Sequence, residues 1–300
     1  INAQGYATTG MISVVIGAIA NIVLDPLFIF MLDLGIRGAA IATVLSQCLS
    51  AGFVLYFLSK KAEYKVRLLY KEEIRTCGKD AKNIVSLGTA GFVMQLTNSL
   101  VSICCNNVLS ATGGDVYVSV MTIISSVRQM IETPIWSISE GSSPVISYNY
   151  GAKRPKKVIE AWITMSVLAL IYSLIAWSVI LFAPKFLIGI FSSDKSLMID
   201  TVPAMKLYFS AFIFMLFQYT GQTMFKSLNK KKQAIFFSIL RKVIIVVPMT
   251  YMFPYVFLMG SNGVFMAEPV SNVIGGSLCF IVMLLTVLPE LKQMNSDLSS

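Results

Sequence analysis

The amino-acid sequence predicts an all-α membrane protein that crosses the bilayer eight times. Of its 300 residues, 56% are hydrophobic and only 13% are charged, and the mean hydropathy is +0.73. Soluble domains carry about a quarter charged residues, so the core of a soluble domain does not account for this composition. The apolar residues instead form long blocks, and the basic residues gather between alternate blocks.

Each apolar block is long enough to cross a bilayer as a helix. About 20 apolar residues span a hydrocarbon layer roughly 30 Å thick. Helix is the expected conformation because it satisfies its own backbone hydrogen bonds in lipid. The predicted spans are 8–32, 38–58, 84–111, 116–146, 163–182, 205–227, 234–258 and 263–288.

The net charge of +9 is explained by membrane topology rather than by nucleic-acid binding. Basic residues concentrate in the connections after the second, fourth and sixth spans, at 60–82, 153–157 and 226–232, whereas the alternate connections hold few. Cytoplasmic loops carry such an excess of Lys and Arg. The sequence therefore predicts a plasma-membrane (inner-membrane) protein with both ends in the cytoplasm and no nucleic-acid partner.

The sequence lacks residues and motifs that metal binding, acid–base catalysis and ATP binding usually require. The sequence has no histidine, and its five cysteines show no paired metal-ligand spacing. No phosphate-binding glycine loop is present, which argues against ATP as a driver. We expect no metal site beyond a possible sodium site, no organic cofactor and no enzymatic activity.

Two stretches near opposite ends of the chain resemble each other. "LGIRGAAIATVLSQ" at 34–47 and "MGSNGVFMAEPVSN" at 259–272 share two glycines, an alanine and a serine at the same spacing. Each follows a span that contains a proline. Repeated units are common in secondary transporters, which bind substrate between the repeats.

An aspartate lies inside the first apolar block, in "NIVLDPLFIF" at 21–30. Asn21 and Asp25 are one helical turn apart and share a face. Pro26 removes a backbone donor and clashes with the preceding turn, so we expect a kink that frees a carbonyl near Asp25. An ionised carboxylate in a bilayer is costly and marks a functional site. These oxygens predict a site for sodium or a proton.

Two charges in the fourth span are spaced as an ion pair. Arg128 and Glu132, in "SSVRQMIETP", are four residues apart on one helix face. They form either a structural pair or a charged wall of a substrate cavity. Glu140, farther along the same span, is a further candidate for the cavity wall.

Glu268 is a second intramembrane acid, at the position in the repeat that corresponds to Thr43. We expect it to line the cavity. Arg241 and Lys242 lie inside the seventh span, where we expect their side chains to extend to the membrane surface.

Polar and adaptable side chains complete the predicted cavity. Gln95 and Asn98 belong to a polar stripe on the third span. Met215, on the sixth span, could contribute the flexible apolar surface that loose drug recognition needs.

Several motifs resemble the multidrug and toxic compound extrusion (MATE) family in the family's order. "NIVLDPLFIF" with "LGIRGAAIATVLSQ" resembles its fifth and sixth helices, and "SPVISYNYGAKRPKKV" resembles the end of its eighth helix and the loop that follows. "FKSLNKKKQAIFFSILRKVIIVVPMTYMF" resembles its tenth-to-eleventh helix junction.

The resemblance covers essentially the whole chain and implies a twelve-helix fold of two pseudosymmetric six-helix lobes. The chain would carry helices five to twelve, with the first four helices as missing partners. Residues 1–60 would end the N-terminal lobe, 61–83 would form a cytoplasmic inter-lobe linker, and 84–300 would form the C-terminal lobe.

The resemblance also implies a cation site. In one branch of the family this site lies in the first lobe, and Asn21, Asp25 and Thr43 match three of its positions. In another branch it lies in the second lobe, where the matching positions fall near Asn98 and Met215, neither of them acidic. We therefore expect coupling through the first lobe.

The function implied is a sodium- or proton-coupled antiporter that exports organic, cationic amphiphilic compounds. A flippase for lipid-linked oligosaccharides, from the related superfamily, is the alternative. An intramembrane enzyme is a third possibility, but Asp25 has no acidic helical neighbour and the chain has no histidine base.

Overall fold

The computed structural model describes residues 1–66 and 78–297, and the regular elements in these ranges are all helices. Residues 67–77, in the middle of the predicted linker 61–83, lie outside the described residues. The chain divides into two compact units, Ile1–Ala81 and Lys82–Ser300. Their assignment to the two lobes of a transporter remains a prediction.

The first unit is a helical hairpin. Helix α1 covers Ala7–Pro26 and continues as a π-helical turn over Leu27–Met31, and helix α2 covers Gly35–Lys60. α1 packs along α2. The regular α-helix ends at Pro26, whose ring cannot donate a backbone hydrogen bond. The sequence therefore places the change of helix type directly beside Asp25.

The second unit begins with a long broken helix. Helix α3 covers Gly78–Gly151 and is interrupted at Gly114, whose backbone has φ 70° and ψ −169°. A residue with a side chain is strongly disfavoured in that conformation, whereas glycine tolerates it. The break separates the predicted spans 84–111 and 116–146. Helix α4 follows over Pro155–Phe182.

Three shorter helices come next. They are α5 (Pro184–Phe191), α6 (Lys195–Tyr208) and α7 (Phe214–Ser227). Asp194 caps α6. Its carboxylate accepts hydrogen bonds from the hydroxyl and the backbone N–H of Ser196, each at 2.8 Å. These bonds favour the ionised form and hold the pKa of Asp194 below its usual value.

The last two predicted spans are helices that each contain a π-helical segment. Helix α8 (Lys231–Ile239) leads through π-helical Leu240–Val246 into α9 (Val247–Tyr255). Helix α10 (Ser261–Ser271) leads through π-helical Asn272–Gly276 into α11 (Ser277–Asp297). π segments frequently occur at functional sites. Both lie next to the charged residues described below.

The prediction of an all-α membrane protein is confirmed. Among the described residues, six helical stretches are long and apolar enough to cross a membrane. One of them, Gln95–Gly151, contains the predicted span 116–146 and the second part of the predicted span 84–111. The predicted span 205–227 is divided between α6 and α7. The six stretches are Ala7–Met31, Gly35–Lys60, Gln95–Gly151, Pro155–Phe182, Lys231–Tyr255 and Ser261–Ser296.

The two repeat-related stretches share several backbone features. Gly35 and Gly260 both have positive φ, at 50° and 56°. At Gly38 and Gly263, a Cβ atom would lie only 2.5 and 2.7 Å from backbone atoms of the preceding helix. The shared glycines are therefore required by a turn and by a close helix approach.

Backbone hydrogen bonds recur at the same spacing. The N–H of Leu32 donates to the carbonyl of Leu27 at 3.0 Å, and the N–H of Phe257 donates to Met252 at 3.1 Å. The residues of each pair are five apart, so each helix widens just before its turn. The matching pairs Ala42 and Ala267, and Ser46 and Ser271, are all buried.

Candidate functional site

Asn21 and Asp25 form a direct contact in the first unit. The side-chain amide of Asn21 donates to Asp25 Oδ1 at 3.2 Å, and both residues are partly buried. The amide oxygen of Asn21 and the second carboxylate oxygen of Asp25 are left as acceptors. Hard cations prefer oxygen ligands, so these two oxygens are suitable ligands for a cation such as sodium.

Thr43 is not joined to this pair in the described part of the chain. It lies on an exposed face of α2, and its hydroxyl donates to the carbonyl of Ala39 at 2.9 Å. The structure thus brings two of the three predicted coupling residues together. A role for Thr43 stays a prediction.

The second unit contains a cavity of about 490 Å³. Its walls come from α3, α6, α7, the π segment after α8, and α10. Five of the residues predicted for the cavity line it: Gln95, Asn98, Arg128, Glu132 and Glu268. A smaller adjoining cavity of about 110 Å³ shares part of this wall.

Arg128 and Glu132 form the predicted ion pair, with 3.1 Å between Nε and Oε1. Two tyrosines hold the pair from other helices. Arg128 Nη1 donates to the hydroxyl of Tyr208 at 2.7 Å, and the hydroxyl of Tyr219 donates to Glu132 Oε2 at 3.2 Å. The pair therefore has a fixed position on the cavity wall.

Glu268 is almost fully buried and is surrounded by cations. Its Oε1 lies 3.2 Å from Lys242 Nζ, 3.6 Å from Arg241 Nη1 and 4.0 Å from Arg128 Nη1. Arg241 also donates to the side-chain oxygen of Asn272. A buried charge is tolerated when it is paired and hydrogen-bonded.

The expectation that Arg241 and Lys242 extend to the membrane surface is wrong. Each is only 7% exposed, and both contact Glu268. They lie in the π-helical segment Leu240–Val246. The sequence offered only a non-local signal: two adjacent basic residues inside an apolar block can pair with a buried acid, and Glu268 lies on the next long apolar stretch.

Glu140 and Met215 lie outside the set of residues that line the cavity. Glu140 pairs with Lys226 at 3.0 Å, on a half-exposed part of α3. Met215 is 1% exposed and packs in the hydrophobic core with Phe209 and Phe212. Roles in substrate binding remain predictions for both residues.

Comparison with known proteins gives consistent similarities. Residues 91–252 match the family model described as MatE. "Multidrug export protein MepA" of Staphylococcus saprophyticus subsp. saprophyticus is 26% identical over 289 residues, covering 94% of this chain and 60% of that protein. The protein of the same name from Staphylococcus aureus strain NCTC 8325 is 26% identical over 292 residues, covering 95% and 61%.

Solved structures share the fold. "Crystal structure of MATE in the straight conformation" has a TM-score of 0.83 at 23% identity, covering 97% of this chain and 64% of that one. "Outward-facing conformation of a multidrug resistance MATE family transporter of the MOP superfamily" has a TM-score of 0.83 at 24% identity, covering 95% and 62%.

The chain spans about 60% of the length of the curated relatives it matches. The family model covers more than half of this chain, and the described helices supply the long apolar stretches that a bilayer requires. The chain is therefore a multi-pass membrane protein of the MATE family.

Proposed function

We propose that this protein exports organic compounds across the plasma membrane in exchange for sodium ions or protons. The proposal rests on the family, on relatives named as multidrug export proteins, and on the cavity in the second unit. The family also supports the expectation that the chain is not an enzyme.

The observation that carries the proposal is the cavity itself. Small-molecule sites have volumes of about 300–1,000 Å³ and combine apolar walls with a few polar groups. At about 490 Å³ this cavity falls in that range of volumes. Its lining is more polar than is usual, with Arg128 and Glu268 among the polar residues and Met121, Trp136 and Val264 among the apolar ones. A cavity of this kind among membrane helices suits substrates with both apolar and polar parts.

Asp25 is the carboxylate best suited to couple export to a cation. Glu268, the acid in the second unit, already has Lys242 and Arg241 within 3.6 Å. A further cation at Glu268 would have to displace these positive charges. Among the described residues, the hydrogen-bond partner of Asp25 is the neutral amide of Asn21, so Asp25 can accept sodium or a proton without losing an ion pair.

The mechanism follows from the position of Asp25. The carboxylate lies immediately before Pro26 and the π-helical turn Leu27–Met31. Neutralising the charge by a cation would lower the cost of burying this part of α1 in lipid. We propose that this change favours one membrane-facing conformation, and that release of the cation restores the other.

Orientation is part of the proposal. The basic connections at 60–82, 153–157 and 226–232 would face the cytoplasm, and both ends of the chain would lie on that side. Substrate would then enter from the cytoplasm and leave outside. Cationic amphiphilic substrates remain the expectation from the sequence.

The test measures uptake of ethidium by everted membrane vesicles that carry the protein. In these vesicles the cytoplasmic face points outward, so export appears as uptake. We expect Asp25→Asn to abolish ethidium uptake driven by an imposed sodium or proton gradient. The amide carries no negative charge, so binding of a cation can no longer change the charge of this site. Asp33→Asn is the matched control. Asp33 is exposed and has φ 51°, a conformation that asparagine accepts.

Two results would count against the proposal. The first is uptake that persists in Asp25→Asn at the rate of the Asp33→Asn control. The second is a wild-type protein that moves no dye but carries a polyprenyl-linked lipid, which would favour the flippase alternative.

A further inference from the structure

We propose that the cavity in the second unit binds the carboxylate of an amphipathic organic acid between Arg128 and Lys242. This proposal rests on the export function above and names a substrate class for the same cavity. It differs from the cationic substrates that the sequence predicts. Three independent features support it: the balance of charges, unused hydrogen-bond donors, and an apolar wall beside them.

In the described part of the chain, the two adjoining cavities together hold one more cationic than anionic side chain. Among the described residues that line the two adjoining cavities, the cationic side chains are Arg128, Arg241 and Lys242, and the anionic ones are Glu132 and Glu268. The larger cavity by itself has two of each, and the third cation, Arg241, lines the smaller cavity and shares Glu268 with Lys242. A charge in a site enclosed by membrane helices is stabilised chiefly by a nearby charge of opposite sign, and an organic anion supplies one.

The existing ion pairs leave donors free. Lys242 has three N–H donors, and within the described residues its contacts are the two oxygens of Glu268, at 3.2 and 3.5 Å. Arg128 uses Nε toward Glu132 and Nη1 toward Tyr208, which leaves Nη2 without a hydrogen bond to the part of the chain that the structure describes. Both side chains line the larger cavity, whereas Arg241 lines only the smaller one and bonds Asn272.

Both acids of the cavity already have basic partners. Glu132 contacts Arg128, and Glu268 contacts Lys242 and Arg241. An incoming monocation must compete with a covalently attached lysine or arginine. An incoming carboxylate would share Arg128 and Lys242 with these two acids and would use the N–H donors that the acids leave unoccupied.

An apolar body can be accommodated next to the charged end. Val101, Met121, Trp136, Val246 and Val264 line the same cavity. Inorganic anions such as chloride could use the donors but not this wall. The predicted ligand is therefore a carboxylate attached to an aromatic or aliphatic group.

The experiment measures binding of three pyrene probes to the intact protein in detergent by isothermal titration calorimetry. The probes are pyrenebutyrate, pyrenebutanol and pyrenebutylammonium, which share the apolar body and differ in charge. We expect pyrenebutyrate to bind most tightly. Lys242→Met should weaken pyrenebutyrate at least about tenfold, the scale of a hydrogen bond to a charged group, and should leave pyrenebutanol unchanged.

Two variants separate charge from folding. Lys242→Arg keeps the positive charge and should restore most of the affinity for pyrenebutyrate. Lys230→Met is the matched control: Lys230 is also a partly buried lysine paired with one carboxylate, Glu290, but it lies outside the residues that line either cavity. Its loss should not change the order of the three probes.

The proposal is overturned if pyrenebutylammonium binds as tightly as pyrenebutyrate, or if Lys242→Met and Lys230→Met have equal effects. It is also overturned if chloride at equal concentration displaces pyrenebutyrate completely, since the site would then be an inorganic-anion site. Ethidium efflux that depends on Asp25 would still stand in each case. Conversely, carboxylate binding without any gradient-driven efflux would remove the export function alone.

Discussion

Glu268 is the residue on which the charged part of the cavity depends. It is 5% exposed and lies within 4.0 Å of Arg128, Arg241 and Lys242. Removing one member of a buried charge pair leaves the other charge unpaired, and this is far more costly than loss of a surface pair. The asymmetry of one acid facing three cations makes a specific prediction.

Glu268→Gln should destabilise the protein strongly, by about 3–5 kcal/mol, because the three basic side chains lose their common anion. Lys242→Met should cost less, since Arg241 and Arg128 still pair with the carboxylate. Thermal unfolding of the purified protein measures both changes.

The control for this prediction is Glu160→Gln. Glu160 pairs with Lys157 at 2.9 Å, but both side chains are well exposed, so the change should be within about 1 kcal/mol. If Lys242→Met were more destabilising than Glu268→Gln, the excess of buried positive charge would not be real.

At the scale of elements, the repeated glycines explain how two helix junctions pack. Gly38 and Gly263 each lie where α2 or α10 approaches the backbone of the preceding helix. A methyl group placed 2.5–2.7 Å from backbone atoms would clash with them, and no rotamer change can relieve this clash. The helices must move apart, and the packing around the buried Ser46 or Ser271 must change with them.

Gly263→Ala should therefore lower the stability by about 1–3 kcal/mol, the usual cost of an overpacked contact. Gly141→Ala is the matched control, because Gly141 is also helical and a Cβ there meets nothing within 4 Å. It should be neutral, or stabilising by up to about 1 kcal/mol. Equal melting temperatures for the two variants would contradict the close approach at Gly263.

Most elements could be predicted from sequence because they depend on local patterns. The apolar blocks predicted the helices, the gap between spans 84–111 and 116–146 contains the break at Gly114, and i, i+4 spacing paired Arg128 with Glu132. The positions of Arg241 and Lys242 could not be predicted in this way. Their burial depends on a π segment and on an acid from a different helix, and neither has a local signature.

At the scale of the whole molecule, the alternation of loop charge predicts which connections face the cytoplasm. A cysteine introduced in place of Lys156, in the first turn of α4, should react with a membrane-impermeant maleimide only after the cells are opened. A cysteine in place of Asn262, at the start of α10, should react in intact cells.

These labelling experiments require a background without the five native cysteines. Cysteines at 156 and 262 that react from the same side would contradict the predicted topology. Three predicted spans, 163–182, 205–227 and 234–258, lie between these positions, and an odd number of crossings puts them on opposite sides. Labelling of position 156 in intact cells would show that the protein has the opposite orientation, and the proposed direction of transport would then be import.

The account depends most on the claim that Asp25 couples a cation gradient to movement of an organic compound. The direct measurement is transport in proteoliposomes under an imposed sodium gradient and, separately, an imposed pH gradient, with wild type and Asp25→Asn side by side. We predict that at least one gradient drives accumulation of ethidium above equilibrium in the wild type, and that Asp25→Asn only lets it equilibrate. Accumulation by Asp25→Asn equal to that of the wild type would contradict the account.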